Sequence, residues 1–334
     1  MGHRKHSSPR RGSLAFIPRA RRKRLIARVR TWPATSSDKP TILGVPTFKA
    51  GSIHVMTLDD REKTPNFGKP LFNASTVLAT VPITIIGFRV YSHGYNGLQA
   101  LADVFAENLP KELERKFKVG TKDSEKKVKH VIDNISRITQ VSALIFVKPE
   151  DAGLSQKKPF VFEIVIGGGD TRAQVEYARS MLGKSIKVSD VLKPGMMVDA
   201  IAVTKGKGFE GPVTRMGVKR KQHKSRKSVR AVGVIGPWHP STIMYTVPRA
   251  GQMGFHQRMD KNKRILAITN GKDQPITPAG GFLHFGNVVN DYLIVKGSVP
   301  GPIKRLVTLK LASRPVKVKA GAPKILQIST VRAR

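Results

Sequence analysis

The chain has 334 residues, with 60 Lys or Arg against 22 Asp or Glu and a formal net charge of +38. A hydrophobic content of 40% excludes a disordered basic tail, and the absence of cysteine excludes a disulfide scaffold, a thiolate metal site and a cysteine nucleophile. No uncharged apolar run approaches the ~18 to 20 residues of a spanning helix, so nucleic acid is the expected counter-charge rather than an anionic membrane, in a soluble cytoplasmic chain of about two domains.

Residues 1 to 37 hold eleven Lys or Arg and no acid. This basic N-terminal extension includes Arg4, Lys5, Arg10, Arg11, Arg21, Arg22, Lys23 and Arg24. Its first stretch, MGHRKHSSPRRGSLAF, has no apolar signal core, and His6 stands where N-myristoylation needs Ser or Thr. Trp32, beside Pro33, closes the basic run and could anchor it. Residues 38 to 79 are β-rich and form the first part of an expected small β-barrel. Within them Asp59, Asp60 and Glu62 make a tight acidic cluster. It could bind Mg²⁺, although solvation at a turn-rich surface is the simpler reading.

From 80 to 183 the charge balances: residues 101 to 176 carry thirteen basic and twelve acidic side chains, an ordinary wet surface. ITIIGFRVY from Ile83 predicts a strand. Leu98, Leu101, Phe105 and Leu109 fall at helical spacing and predict a helix stopped by Pro110. Val128, Val131, Ile132, Ile135 and Ile138 predict a second helix. VSALIFV and FVFEIVI predict strands, and TRAQVEYARSMLG a helix opened by a capping box of Thr171 and Gln174 and closed at Gly183. The order β-α-α-β-β-α describes an α/β module packed on one sheet and inserted within the barrel. IGGGD lacks GxGxxG spacing and reads as a strand-to-helix turn. LGKSI lacks the upstream glycine of a phosphate-binding loop, since Ala178 stands there, and it ends a helix instead of opening one.

Residues 184 to 334 return to short strands such as MMVDAIAV, KRILAIT and DYLIVKG between Gly and Pro, the second part of the barrel. The interval from about 205 to 260 reads as a basic loop. Residues 205 to 230 hold ten Lys or Arg against one acid, Glu210, and no acid follows Asp291. Lys205, Lys207, Arg215, Lys219, Arg220, Lys221, Lys224, Arg226, Lys227, Arg230, Arg249 and Arg258 are candidate RNA contacts. His223, His239 and His256 join them, because they lie in basic or Gly/Pro-rich loops and form no HxxxH or HExxH pair for a metal. Trp238 sits in GVIGPWHPSTIMYTVPRAGQ. It could be the rigid tip of an RNA-ordered finger that stacks on bases, or it could fold back onto the barrel.

The most informative stretch is DAIAVTKGKGFEGPVTRMG, Asp199 to Gly217. Gly206, Gly208 and Gly211 let the backbone turn tightly and approach another surface, with Lys205 and Lys207 between them able to face the same phosphates. Gly-Lys-Gly alone would equally describe a mobile loop. The longer pattern of Leu192, Asp199, Ala202, Thr204, Gly206-Lys207-Gly208, Gly211 and Arg215 resembles the signature of the universal large-subunit ribosomal protein L-three family. HRKHSSPRRGSLAF resembles the N-terminal extension of its archaeal and eukaryotic members. WHPSTIMYTVPRAGQMGFHQR resembles their tryptophan finger, and NDYLIVKGSVPGPIKRLV their C-terminal barrel. One departure is Pro237, before Trp238, where the family pattern has alanine.

The resemblance implies a Greek-key barrel of the translation-factor type with an inserted α/β module and long basic extensions. It implies binding to large-subunit rRNA early in assembly, beside neighbouring ribosomal proteins, with both extensions directed toward the peptidyl transferase centre. No enzymatic activity, cofactor or metal is expected. Low aromatic content, 6%, points to recognition of folded RNA through phosphates and 2′-hydroxyls. An RNA-modifying enzyme with basic extensions is the alternative, but no nucleophile, base and orienting group come together in the sequence.

Overall fold

Runs rich in Val, Ile, Phe and Thr become strands, several of them long. The computed structural model describes residues 12–35, 37–118, 124–224, 227–316 and 321–330. In chain order the strands are β1 (Thr41–Ile42), β2 (Gly44–Leu58), β3 (Pro70–Ala79), β4 (Ile83–Gly94), β5 (Gly97–Phe105), β6 (Ile138–Val147), β7 (Phe160–Gly167), β8 (Ser185–Ile186), β9 (Met197–Val203), β10 (Gly206–Glu210), β11 (Gly251–Gly254), β12 (Gln257–Thr269), β13 (Tyr292–Lys296), β14 (Leu306–Leu311) and β15 (Ile325–Ser329). The α-helices are α1 (Ser124–Asp133), α2 (Thr171–Ser180), α3 (Val188–Val191) and α4 (Pro212–Met216). The protein is thus mixed but mostly β.

The chain divides into two units: Met1–Arg24 with Thr204–Gln257, and Leu25–Val203 with Arg258–Arg334. The larger unit contains two sheets. One runs β14-β9-β12-β13-β3-β2-β15, and β14 also pairs with β2. That extra pairing returns the sheet to its start, so β14, β9, β12, β13, β3 and β2 close into a ring with β15 added outside it. Phe48, Val77, Leu78, Leu293, Ile294, Val307 and Leu309 are fully buried here. Gly44 is required where β2 meets β14: a Cβ there would lie 2.8 Å from the Leu309 carbonyl oxygen and 3.1 Å from the Trp32 ring. Trp32 packs against the core, and Lys310 donates to the Thr31 carbonyl at 2.8 Å. The end of the basic N-terminal run is therefore anchored on this sheet.

The other sheet has the order β1-β7-β6-β4-β5, with β8 on β4. It contains all the strands between β3 and β9. Val128 and Val131 of α1, and Val175 and Ala178 of α2, are buried in the same continuous core as Ile85, Phe88, Val141 and Ile164 of the sheet. Three expectations fail here, the first being the end of the second helix: α1 stops at Asp133, and Ile138, expected within it, begins β6. Of the segment expected to be a helix from Leu98 to Leu109, the part to Phe105 lies in β5, an antiparallel partner of β4. Gly94 pairs with Gly97 across the two-residue connection Tyr95-Asn96, and Gly97 takes φ +98°. This tight hairpin connection, with Gly97 in the left-handed region after it, overrode the helical spacing of the leucines. The capping box at Thr171 is also absent. Asp170 is the N-cap, and the Gln174 side chain donates to the Gly168 carbonyl at 3.1 Å.

Candidate nucleic-acid interface

Most of the candidate contacts fall in the smaller unit, whose regular frame is short. β10 pairs antiparallel with β11, Gly206 opposite Gly254 and Phe209 opposite Gln252. Pro212 starts α4, and Gly217 at φ +69° ends it. Within the protein the close backbone approach in this frame is made by Gly254. It has φ +73°, and a Cβ there would stand 2.1 Å from the Lys205 carbonyl oxygen. Gly208 takes φ +70° with open space beside it, and Gly211 also faces open space. Lys205 and Lys207 flank this turn, both exposed.

Residues about two hundred or more positions apart are joined in this unit. The Ser13 amide donates to the Met216 carbonyl at 2.6 Å and the Arg22 amide to the Phe255 carbonyl at 2.9 Å. The Arg19 guanidinium donates to the carbonyls of Arg215, Ala15 and Ser13. His256 Nδ1 lies 2.9 Å from the Ala20 carbonyl oxygen, and the Arg21 guanidinium sits 5.3 Å from the Phe255 ring centre, within cation–π range. Described residues of the N-terminal extension thus have protein partners of their own.

These contacts sort the candidates. Arg215 donates to the Gln252 carbonyl at 3.0 Å and the Arg249 carbonyl at 3.1 Å, fastening α4 to β11 and the segment before it. His256 is buried. Both build the frame. Arg22 and Arg258 are half-buried, whereas Arg21, Lys23, Arg24, Lys219, Arg220, Lys221, His223, Lys224, Lys227, Arg230, His239 and Arg249 are exposed. Arg4, Lys5, Arg10, Arg11 and Arg226 lie outside the described residues.

From 219 to 245 every described residue except Val232 is exposed. Trp238 is 88% exposed, so it is not folded back into a core. Its neighbours include apolar side chains the sequence reading passed over: Val234 at 89%, Tyr245 at 79% and Met244 at 54% exposure. Their signal was available, since they are apolar residues in a stretch with neither helical nor strand periodicity. Cations this dense repel one another unless a polyanion lies among them.

The acidic cluster is occupied by arginines. Asp59 receives the Arg61 guanidinium at 2.9 and 2.8 Å and the Thr64 hydroxyl at 3.2 Å. Asp60 receives Arg264 at 2.8 and 2.5 Å. Arg61 holds the Asp59 carboxyl well below the usual carboxylate range, and Arg264 lowers that of Asp60. Among the described residues no group of three His, Asp or Glu is placed to hold a metal ion.

A β-rich body joined in sequence to a unit crowded with exposed cations and exposed apolar side chains has the build of a structural RNA-binding protein. The family model for ribosomal protein L3 matches residues 1–330. Three archaeal relatives, each described as large ribosomal subunit protein uL3, align over nearly the whole chain. The protein of Methanocaldococcus jannaschii is 46% identical, covering 96% of each chain. That of Methanococcus vannielii is 44% identical, covering 97% of each. That of Methanothermobacter thermautotrophicus is 40% identical, covering 98% of each. The chain belongs to the ribosomal protein L3 family, and it is a structural protein of the ribosome, not an enzyme.

Proposed function

We propose that the chain is a constituent of the large ribosomal subunit in the cytoplasm, where it binds large-subunit rRNA through the exposed cations of the smaller unit. The observation that carries this reading is Trp238, a large apolar ring 88% exposed inside a stretch dense in Lys and Arg. Phosphates along the path are met by Lys219, Arg220, Lys221, Lys224, Lys227 and Arg230, with Lys205 and Lys207 at the β10 turn. Trp238 then packs on or between bases. Family resemblance supports the finer reading: binding early in assembly, both extensions directed toward the peptidyl transferase centre, and Trp238 on its aminoacyl-tRNA side. We read the closed ring as the Greek-key barrel, split into 38–79 and 184–334, and residues 80–183 as its insertion. The insertion's balanced charge suits protein neighbours better than RNA.

Residue-mapped crosslinking in purified large subunits tests the reading. Trp238 and the lysines of 219–227 should crosslink to rRNA near the peptidyl transferase centre. Crosslinks to protein alone would overturn it.

A further inference from the structure

A second aromatic surface lies outside the basic unit, on the outward face of β2 and β3. Along β2, Ile53, Val55 and Thr57 are buried while His54, Met56 and Leu58 face outward. Along β3, Asn73 and Ser75 turn inward and Phe72 outward. The register sets Met56 opposite Phe72 and His54 opposite Ala74, which makes His54 and Phe72 diagonal neighbours on one face. Their rings stack with centres 4.7 Å apart and planes 24° from parallel. Phe72 is 61% exposed.

A single exposed aromatic needs no explanation. A ring held against a second ring with one broad face in solvent is a prepared stacking surface. His54 is half-buried beneath it, and its Nδ1 is enclosed with no hydrogen-bond partner among the described residues. The strands of this face, β2, β3 and β15, carry no Asp or Glu, and Asp59 and Asp60, which follow β2, are each paired with an arginine. β15 places Ser329 opposite His54. Lys69 precedes β3 and Lys324 precedes β15. Strands without acids, with Lys69 and Lys324 at their ends, suit a polyanion, and a flat π surface selects a base over a bare phosphate.

We propose that an unpaired base of large-subunit rRNA stacks on Phe72, with His54 backing the ring and nearby cations taking the adjoining phosphates. The site deepens the RNA-binding function above and rests on it.

The test uses the full chain and large-subunit rRNA, with dissociation constants measured across a salt series for wild type, Phe72→Ala, Phe72→Leu and Phe72→Tyr. Stacking involves no counterion release. Phe72→Ala and Phe72→Leu should therefore lose about tenfold in affinity at every salt concentration, with the slope of log K against log salt unchanged. Phe72→Tyr should retain wild-type affinity. Phe72 is exposed, so melting temperatures of the free variants should match wild type. Full affinity in Phe72→Ala, or in Phe72→Leu, overturns the proposal. Full rRNA affinity combined with poor entry of Phe72→Ala into subunits would assign the face to a protein neighbour instead. Wild-type protein that shows no salt-dependent rRNA binding would remove the parent reading and the platform together, whereas a wild type that binds beside unaffected variants removes the platform alone.

Discussion

Asp199 and Lys310 are direct partners across β9 and β14, their charged groups 3.6 Å apart and their side chains 2% and 1% exposed. Few charged pairs are so completely enclosed, and each partner has further bonds. Asp199 also accepts the amides of Asn262 at 3.0 Å and Ser313 at 3.4 Å. Lys310 donates to the Thr31 carbonyl and to the Ser313 hydroxyl at 2.6 Å. Burial lowers the Lys310 pKa, and Asp199 opposes that shift.

Removing one partner leaves the other charge buried without compensation. Asp199→Ala should cost ~3–5 kcal/mol and lower the melting temperature of the free protein by many degrees. Asp199→Leu combined with Lys310→Met should recover part of that loss, since no bare charge then remains. Calorimetry of the three proteins checks both statements.

Gly254→Ala forces a side chain into left-handed backbone and against the Lys205 carbonyl. Strain of about 1–3 kcal/mol is expected from the backbone conformation alone, and the β10–β11 pair should open. Limited proteolysis reads this directly: cleavage between 205 and 254 should speed up while the larger unit stays intact.

Trp238→Ala should leave the melting temperature of the free protein within about a degree of wild type, because a side chain so exposed has little packing to lose. Incorporation into subunits should continue on the remaining cations. Chemical probing should show altered rRNA reactivity near the peptidyl transferase centre, with slower translation.

Replacing Lys219, Arg220 and Lys221 together with Ala should flatten the salt dependence of rRNA binding. Each lost phosphate contact removes roughly 0.7 to 0.9 from the slope of log K against log salt. Filter binding between low and moderate salt measures it, and an unchanged slope means these side chains do not meet phosphate.

Acid should weaken the larger unit through Asp60. Its folded pKa lies below the unfolded value near ~3.9, so its ion pair with Arg264 stabilises fully above that value. The contribution disappears as pH falls through the folded pKa. Asp60→Asn should melt below wild type at pH 7, and the gap should close on acidification below about pH 4.

Much of this was legible in the sequence because the signals were local. β4, β6, β7, α1 and α2 follow from apolar runs and spacing, and the acid-free stretches marked the basic unit. β5 was misread because two local signals conflicted, and the turn at Tyr95-Asn96 prevailed over Leu98, Leu101 and Phe105. Other features depend on distant partners that no window can display. Arg215 and His256 have the sequence position of RNA contacts, yet carbonyls of Gln252, Arg249 and Ala20 lie beside them. Phe72 drew no notice until the β2–β3 register laid it on His54.

The ring also has a direction in time. Its closing strand, β14, lies close to the end of the sequence, and the Thr47 hydroxyl bonds the Val307 carbonyl at 3.0 Å across 260 positions. At a synthesis rate of ~5–20 residues per second, β2 waits roughly 13 to 52 s for that partner to be translated. The Ser13–Met216 and Arg22–Phe255 bonds must wait as well. Those two partners, Met216 and Phe255, are translated before Val307, so the smaller unit can form its bonds while the ring is still open. Synthesis of β14, not any local folding step, sets the earliest moment at which the ring can close.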